Sequence, residues 1–428
     1  MNGIQRIDEK NKLNFASLLF LLYIVIFTCY TNDNNQPILY GGYIIVSVVC
    51  LLKLFSNFGM KISIYKETKA LFWFSTFCFA SVLWAWDADT AISHSFFVFV
   101  CVIFVILMTN YFIKTKDNIT VLATFAIAGI AMSLVVIGSY GGITAFYEEA
   151  KLLANLDGSP ELSRMGGELT NVNTIGMGCG YAFVILFYFA IFENKKLCYL
   201  FMMPTILVTI TTGSRKSIIL IVLGMLLLLY YKYKNNTSVY KYLKAAITIL
   251  FLIVIFTYSL SLDIMQPVKE RMGSFLNVFG SNENIVDGSS QLRANMIKVG
   301  FKQFWNDPFT GIGIGNSYYL NASNLRRFTY SHCDYIELLV NGGIIGFCLY
   351  YSILLKLVRE YLSAIKNSDD TRLIVGFVLL VLFLLLNFAC VTYYNSVNTY
   401  VFFMLWISQL TLYKEKVKNN EFEKENNQ

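Results

Sequence analysis

The sequence predicts an all-α polytopic membrane protein of about twelve transmembrane helices, with a long extracytoplasmic loop that carries short helices. Three observations predict it. Hydrophobic residues fill 56% of 428 positions and charged residues only 14%. A soluble chain so composed would expose apolar patches far beyond roughly a few hundred Å², whereas in a bilayer the same side chains face hydrocarbon. Apolar runs near spanning length recur along the chain, centred near residues 22, 47, 78, 102, 129, 182, 205, 224, 252, 345, 381 and 404. The links between them alternate between basic and neutral, as the positive-inside rule requires.

The first run follows Arg6, Lys10 and Lys12 but no small-residue cleavage site succeeds it, so it reads as a retained helix. Basic links at 61–69, 114–116, 195–196, 232–244 and 356–372 fall on one side together with both termini, which places the termini in the cytoplasm. Links at 31–37, 87–90 and 391–398 fall outside. The net charge of +7 is thus spent on orientation, and nucleic acid is excluded as a partner; the lipid bilayer takes that place. The nine cysteines are odd in number, form no CxxC and mostly sit inside apolar runs, so neither a disulfide framework nor a zinc site is expected. The whole chain, 1–428, reads as one integral membrane domain.

Two outer loops are long, 141–170 and 263–331. The second spans 69 residues, far beyond a connecting loop. It carries Leu292, Met296, Val299, Gly300 and Phe304 at helical spacing, so 295–305 is expected to form an amphipathic helix on the membrane surface. Two outer segments break the charge rule: this loop, and the short turn Gly213-Ser214-Arg215-Lys216. Basic residues on the wrong side suit an anionic ligand. Arg215 offers a planar fork for phosphate oxygens, and snorkelling at the interface is the other reading. Arg293 opens the amphipathic segment, and Arg271, Arg326 and Arg327 add to the basic outer surface.

The end of the loop reads Asp307-Pro308-Phe309-Thr310-Gly311-Ile312-Gly313-Ile314-Gly315-Asn316. Alternate glycines serve either a tight turn or N–H groups presented to phosphate, here Gly313 and Gly315. The chain has two histidines. His94 has no acids near it and reads as an interfacial hydrogen-bonding residue. His332 sits at a loop-to-helix junction between Ser331 and Asp334. Two readings stand there: proton transfer by the imidazole, and a helix start capped by Ser331 with Asp334 in the first turn. Trp305, Tyr318, Tyr319 and Tyr330 are candidates to stack on sugar rings or to anchor at the interface.

In order and spacing these pieces resemble the O-antigen polymerase/ligase superfamily, the Wzy and WaaL type. The resemblance rests on Trp86-Asp87 at an outer helix end and on Thr212-Gly213-Ser214-Arg215 opening a span. It rests further on Arg293 ahead of Asp-Pro-Phe-Thr-Gly-Ile-Gly-Ile-Gly, and on His332 followed by Gly343 and Gly346. It implies a GT-C-like glycosyltransferase of the bacterial inner membrane that needs no metal or other cofactor and faces the periplasm or exterior. The implied substrate is an oligosaccharide on undecaprenyl diphosphate, and a chain-length regulator is an implied partner. By carry-over Arg215 and Arg293 hold the diphosphate and His332 serves the acceptor hydroxyl. Asp334 and Glu337 stand behind it as alternative bases, with Asp334, Trp305, Gly313, Gly315, Tyr318 and Arg327 as substrate contacts. Cys333, where ligases of this type carry Asn, Ser or Gln, favours a polymerase over a ligase acting on lipid A core. A lipid-oligosaccharide flippase is the reading from another class, and the charges gathered at span ends speak against it.

Overall fold

The computed structural model of the protein describes residues 62–116, 118–154, 165–166, 171–234 and 288–426, and the single positions 42, 45–46, 48–49 and 52. The runs centred near 22 and 252, and residues 263–287 of the long loop, lie outside the described residues, as does most of 155–170. The described part is all helical. Its elements are α1 (Lys66–Ala80), a 3-10 turn (Ser81–Trp84), α2 (Ala88–Thr115), α3 (Asn118–Ser139), α4 (Ile143–Ala154), α5 (Val172–Ile191) and α6 (Cys198–Thr211). They continue with α7 (Arg215–Tyr233), α8 (Gly288–Asn306), α9 (Ser317–Leu325), α10 (Asp334–Lys366), α11 (Thr371–Leu386) and α12 (Val397–Asn426). Among the described residues five helices are long and apolar enough to cross a membrane: α2, α3, α5, α7 and α10. The helices α6 and α11 are apolar but shorter.

Local chemistry explains where several of them begin. Asp87 caps α2 by accepting the Thr90 N–H at 2.8 Å, and Asp370 caps α11 from the Arg372 N–H at 3.0 Å. Arg372 returns its guanidinium to the same carboxylate at 2.6 Å, which fixes the cap in place. Lipid gives helices no hydrophobic drive toward one another, so close packing must hold them. Small residues supply it. A Cβ on Gly129 of α3 would come within 2.3 Å of Ala182 in α5, and one on Gly176 within 2.7 Å of Ser217 in α7. In consequence α5 is buried along nearly its whole length. Likewise Gly376 of α11 leaves room for Gln409 of α12, and Trp406 Nε1 donates to the Gly376 carbonyl at 3.0 Å.

Contacts between helix ends sort the chain into two poles. At one, Glu67 pairs with Lys356, Lys414 pairs with Glu360, and Tyr188 Oη lies 3.1 Å from Thr371 Oγ1. At the other, the Trp86 N–H meets the Ile312 carbonyl, the Asp334 N–H meets the Asn387 carbonyl, and the Met165 N–H meets the Thr211 carbonyl. Links assigned to opposite faces by charge thus gather at opposite ends of the bundle.

The amphipathic segment is helical over a longer stretch than expected, Gly288–Asn306. Its setting also differs. Met296 and Gly300 are buried, and a Cβ on Gly300 would lie 2.5 Å from Ile336. One face of α8 is therefore docked on α10, while Phe301 and Trp305 project from the other face.

Candidate active site

α10 is broken at Gly343, whose backbone adopts φ 59° and ψ −165°. A break in a helix strands two carbonyls before it and two N–H groups after it, and buried backbone groups need partners. Residues 308–313 supply all four. The Ile312 and Gly313 N–H groups donate to the carbonyls of Val340 and Asn341 at 3.0 Å each. The Ile344 and Ile345 N–H groups donate to the carbonyls of Pro308 and Phe309 at 2.8 and 3.2 Å. The other edge of this glycine loop binds the 81–87 turn. Trp84 Nε1 donates to the Thr310 carbonyl at 3.1 Å, Ser81 Oγ accepts from the Ile314 N–H at 3.2 Å, and Asn316 Oδ1 accepts from the Asp87 N–H at 2.7 Å.

The loop delivers Ser317 and the first turn of α9 to a buried carboxylate, Glu337. Its Oε1 accepts from Tyr394 Oη at 2.6 Å, from Asn341 Nδ2 at 3.4 Å and from the Ser317 hydroxyl; its Oε2 accepts from the Ser331 N–H at 2.7 Å. Immediately beyond Ser331 stands His332, half-buried, with a left-handed backbone (φ 60°). Its ring lies 4.3 Å from that of Tyr330. Tyr330 meets Tyr318 at 6.0 Å, Tyr318 stacks on His94 at 6.4 Å, and His94 meets Tyr394 edge-on at 4.5 Å. Both histidines of the chain therefore border one aromatic wall. Burial, then the cations of Arg293 and Lys216, press the His332 pKa down to about 3. Charges on two helices, α8 and α7, thus add to burial at this imidazole, and the ring is neutral at ordinary pH.

The structure brings together His332, Arg293 and Tyr318 of the expected set. Arg215 begins α7, half-buried, one residue before Lys216. Other expectations change. Asp334 is fully buried and engaged, Oδ1 by the Thr392 N–H at 2.8 Å and Oδ2 by Tyr351 Oη at 3.3 Å, so it welds α10 to the 387–396 turn. Gly313 and Gly315 answer to packing: a Cβ on the first would fall 2.4 Å from Ala85 and on the second 2.2 Å from His94, and the Gly313 N–H is already committed. Ser331 does not cap α10, because its hydroxyl bonds the Cys333 carbonyl at 3.0 Å and the N-cap position belongs to Cys333. Trp305 is 73% exposed beside Phe304, and Arg327 is exposed beyond the end of α9. His94 is no isolated interfacial residue, since it fills the space that Gly315 leaves. Glu337 and Lys216 gain the weight. Both were named from the sequence, Glu337 as an alternative base and Lys216 in the basic outer turn; what stayed hidden is that Lys216, more than a hundred positions away, acts on His332.

Residues 199–351 match the family model Wzy_C, described as O-antigen ligase. The matched segment runs from α6 into α10 and takes in Arg215, Lys216, Arg293, His332, Glu337 and Gly343. It supports the superfamily read from the motifs, and with it a function of ligase or polymerase type. It gives no support to a flippase. No curated protein matches the chain.

Proposed function

We propose that the chain is a surface-polysaccharide polymerase, joining undecaprenyl-diphosphate-linked oligosaccharide repeats at the outer face of a bacterial inner membrane. The observation that carries this reading is the meeting of three parts: a buried, left-handed His332, the cations of Arg293 and Lys216 whose charge adds to the effect of burial on it, and an aromatic wall beside it. A hydroxyl of one lipid-linked repeat donates its hydrogen bond to the imidazole. Its oxygen attacks the anomeric carbon of the donor glycan, and a new C–O bond forms as the bond to diphosphate breaks. The proton passes to His332 and on to water. The electron pair leaves with the lipid diphosphate, whose growing charge falls to Arg293, Lys216 and Arg215. Cations fixed before the reaction stabilise that charge more in the transition state than in the ground state. Tyr318 and Tyr330 offer ring faces to sugars, and Trp305 and Arg327 stand at the rim.

The family model's description keeps a second reading alive, transfer of finished glycan to lipid A core. Cys333 favours the polymerase. Deleting the gene separates the two. A polymerase leaves single repeats on the surface acceptor; a ligase leaves none there and long glycan stranded on the carrier lipid. Complementation with His332→Ala or Arg293→Ala, inserted at normal levels, is expected to yield about a hundredfold less polymer or lower still. Full-length polymer at wild-type amounts from either variant sinks the proposal.

A further inference from the structure

We infer that Glu337 is a positioning residue for His332, a buried clamp that holds the histidine's backbone in its left-handed turn and so sets where the imidazole stands. The inference rests on the reading of His332 as the group that meets the acceptor hydroxyl. Among the described residues four that are not glycine have positive φ: Lys116, Asn194, Arg326 and His332. Lys116 and Arg326 close helices as left-handed C-caps, and Asn194 follows the end of α5, places where this conformation is routine. His332 alone does not follow directly on the end of a helix. A side chain with a Cβ is strained there, and such a residue persists only where its surroundings over-determine it.

Glu337 supplies that determination on both sides of the histidine. Its carboxylate takes the Ser331 N–H at 2.7 Å, and its own N–H donates to the Cys333 carbonyl at 2.9 Å. The Tyr330–Ser331 peptide on one side of His332 and the Cys333–Asp334 peptide on the other are thus tied to one residue, the first by its carboxylate and the second by the main chain of the first turn of α10. The remaining donors on the carboxylate come from elsewhere in the chain, Ser317 of α9, Tyr394 of the 387–396 turn and Asn341 of α10. The side chain is fully buried and four donors converge on it. Such a place requires a group that only accepts. The carboxylate is fully buried and faces only these donors, so Glu337 acts through His332 and not as a base itself. An amide would turn an NH₂ toward one of the four donors and leave that hydrogen bond unmade.

The test uses the full-length protein in nanodiscs, with lipid-linked repeats extracted from the deletion strain. Glu337→Gln is expected to lower kcat by about tenfold to a hundredfold while KM for the lipid-diphosphate donor stays within about twofold, since misplacing a reacting group costs turnover and not binding. The freed ring also leaves its buried place, so the variant gains an acid limb between about pH 5 and 7 that the wild type lacks. If Glu337→Gln is not recovered as a single monodisperse species, Tyr394→Phe, which removes one donor and spares the Ser331 bond, is expected to show the same pattern at about threefold. Unchanged kcat, a loss confined to KM, or a lowered kcat without the new acid limb overturns the clamp. His332→Ala runs beside them. Its full turnover overturns the functional reading beneath, and its loss together with any of those three results overturns the clamp alone.

Discussion

Burial and the charges of Arg293 and Lys216 hold His332 neutral to about pH 3, and this has two consequences. Between that value and the ordinary histidine value of about 6.5, the unfolded chain takes up a proton that the folded one refuses. His332 therefore subtracts stability progressively as pH falls below about 6.5, and contributes no such loss above it. Turnover follows the folded value, so kcat/KM is expected to show no His332-dependent acid limb above about pH 5. Lys216→Gln or Arg293→Gln removes one of the opposing cations and is expected to move that limb upward, apart from any loss of rate. A limb that stays in place would show that the cation does not act on the imidazole. Not all of this was legible in the sequence. His332 and the arginines stood out because a titratable ring at a helix start and cations on the outer side are unusual in their own segments. Glu337 stood out only as an alternative base, and its hold on Ser331 did not show, because a Glu in the first turn of a helix is ordinary until Ser317, Ser331 and Tyr394 are folded against it.

At the scale of elements, the break in α10 is what makes the glycine loop a part of the bundle. The loop binds both sides of the break, so its hold depends on Gly343 keeping a conformation that essentially only glycine adopts. A Cβ there would also stand 2.3 Å from the Phe309 carbonyl. Gly343→Ala is expected to cost about 3 kcal/mol or more and to loosen 308–316. Gly342→Ala is the control. Its nearest neighbour is the edge of the Phe77 ring at 3.2 Å, which can shift, and its loss should be small. Thermal unfolding of the two purified variants checks the contrast, and equal midpoints would refute it. The helices themselves were legible from apolar runs alone, since hydrocarbon demands about 20 such residues whatever the fold. The break was not. Gly342-Gly343 reads equally as close helix packing, and only the four bonds to residues 308–313 tell the two apart.

For the molecule as a whole, charge and packing reach the same two poles independently. Lys195, Lys232, Lys234, Lys356 and Lys414 stand at the pole where Glu67 and Glu360 receive two of them. The opposite pole carries the glycine loop, the aromatic wall and His332. By the positive-inside rule the lysine pole is expected to be cytoplasmic and the His332 pole external. That side is what a substrate displayed on an outward-facing carrier lipid needs. The assignment is checked with single cysteines placed in a background from which all nine native ones are removed. Asp89→Cys and Asn395→Cys are exposed at the His332 pole, and Asn194→Cys and Asn367→Cys are exposed at the lysine pole. An impermeant maleimide is expected to label the first pair in intact spheroplasts and the second only after permeabilisation. The reverse pattern would leave the fold untouched but would put the cations and His332 in the cytoplasm. There, an enzyme that polymerises exported repeats has no substrate. One member of each pair reacting from outside would go further, because it would contradict the pairing of helix ends on which both poles rest.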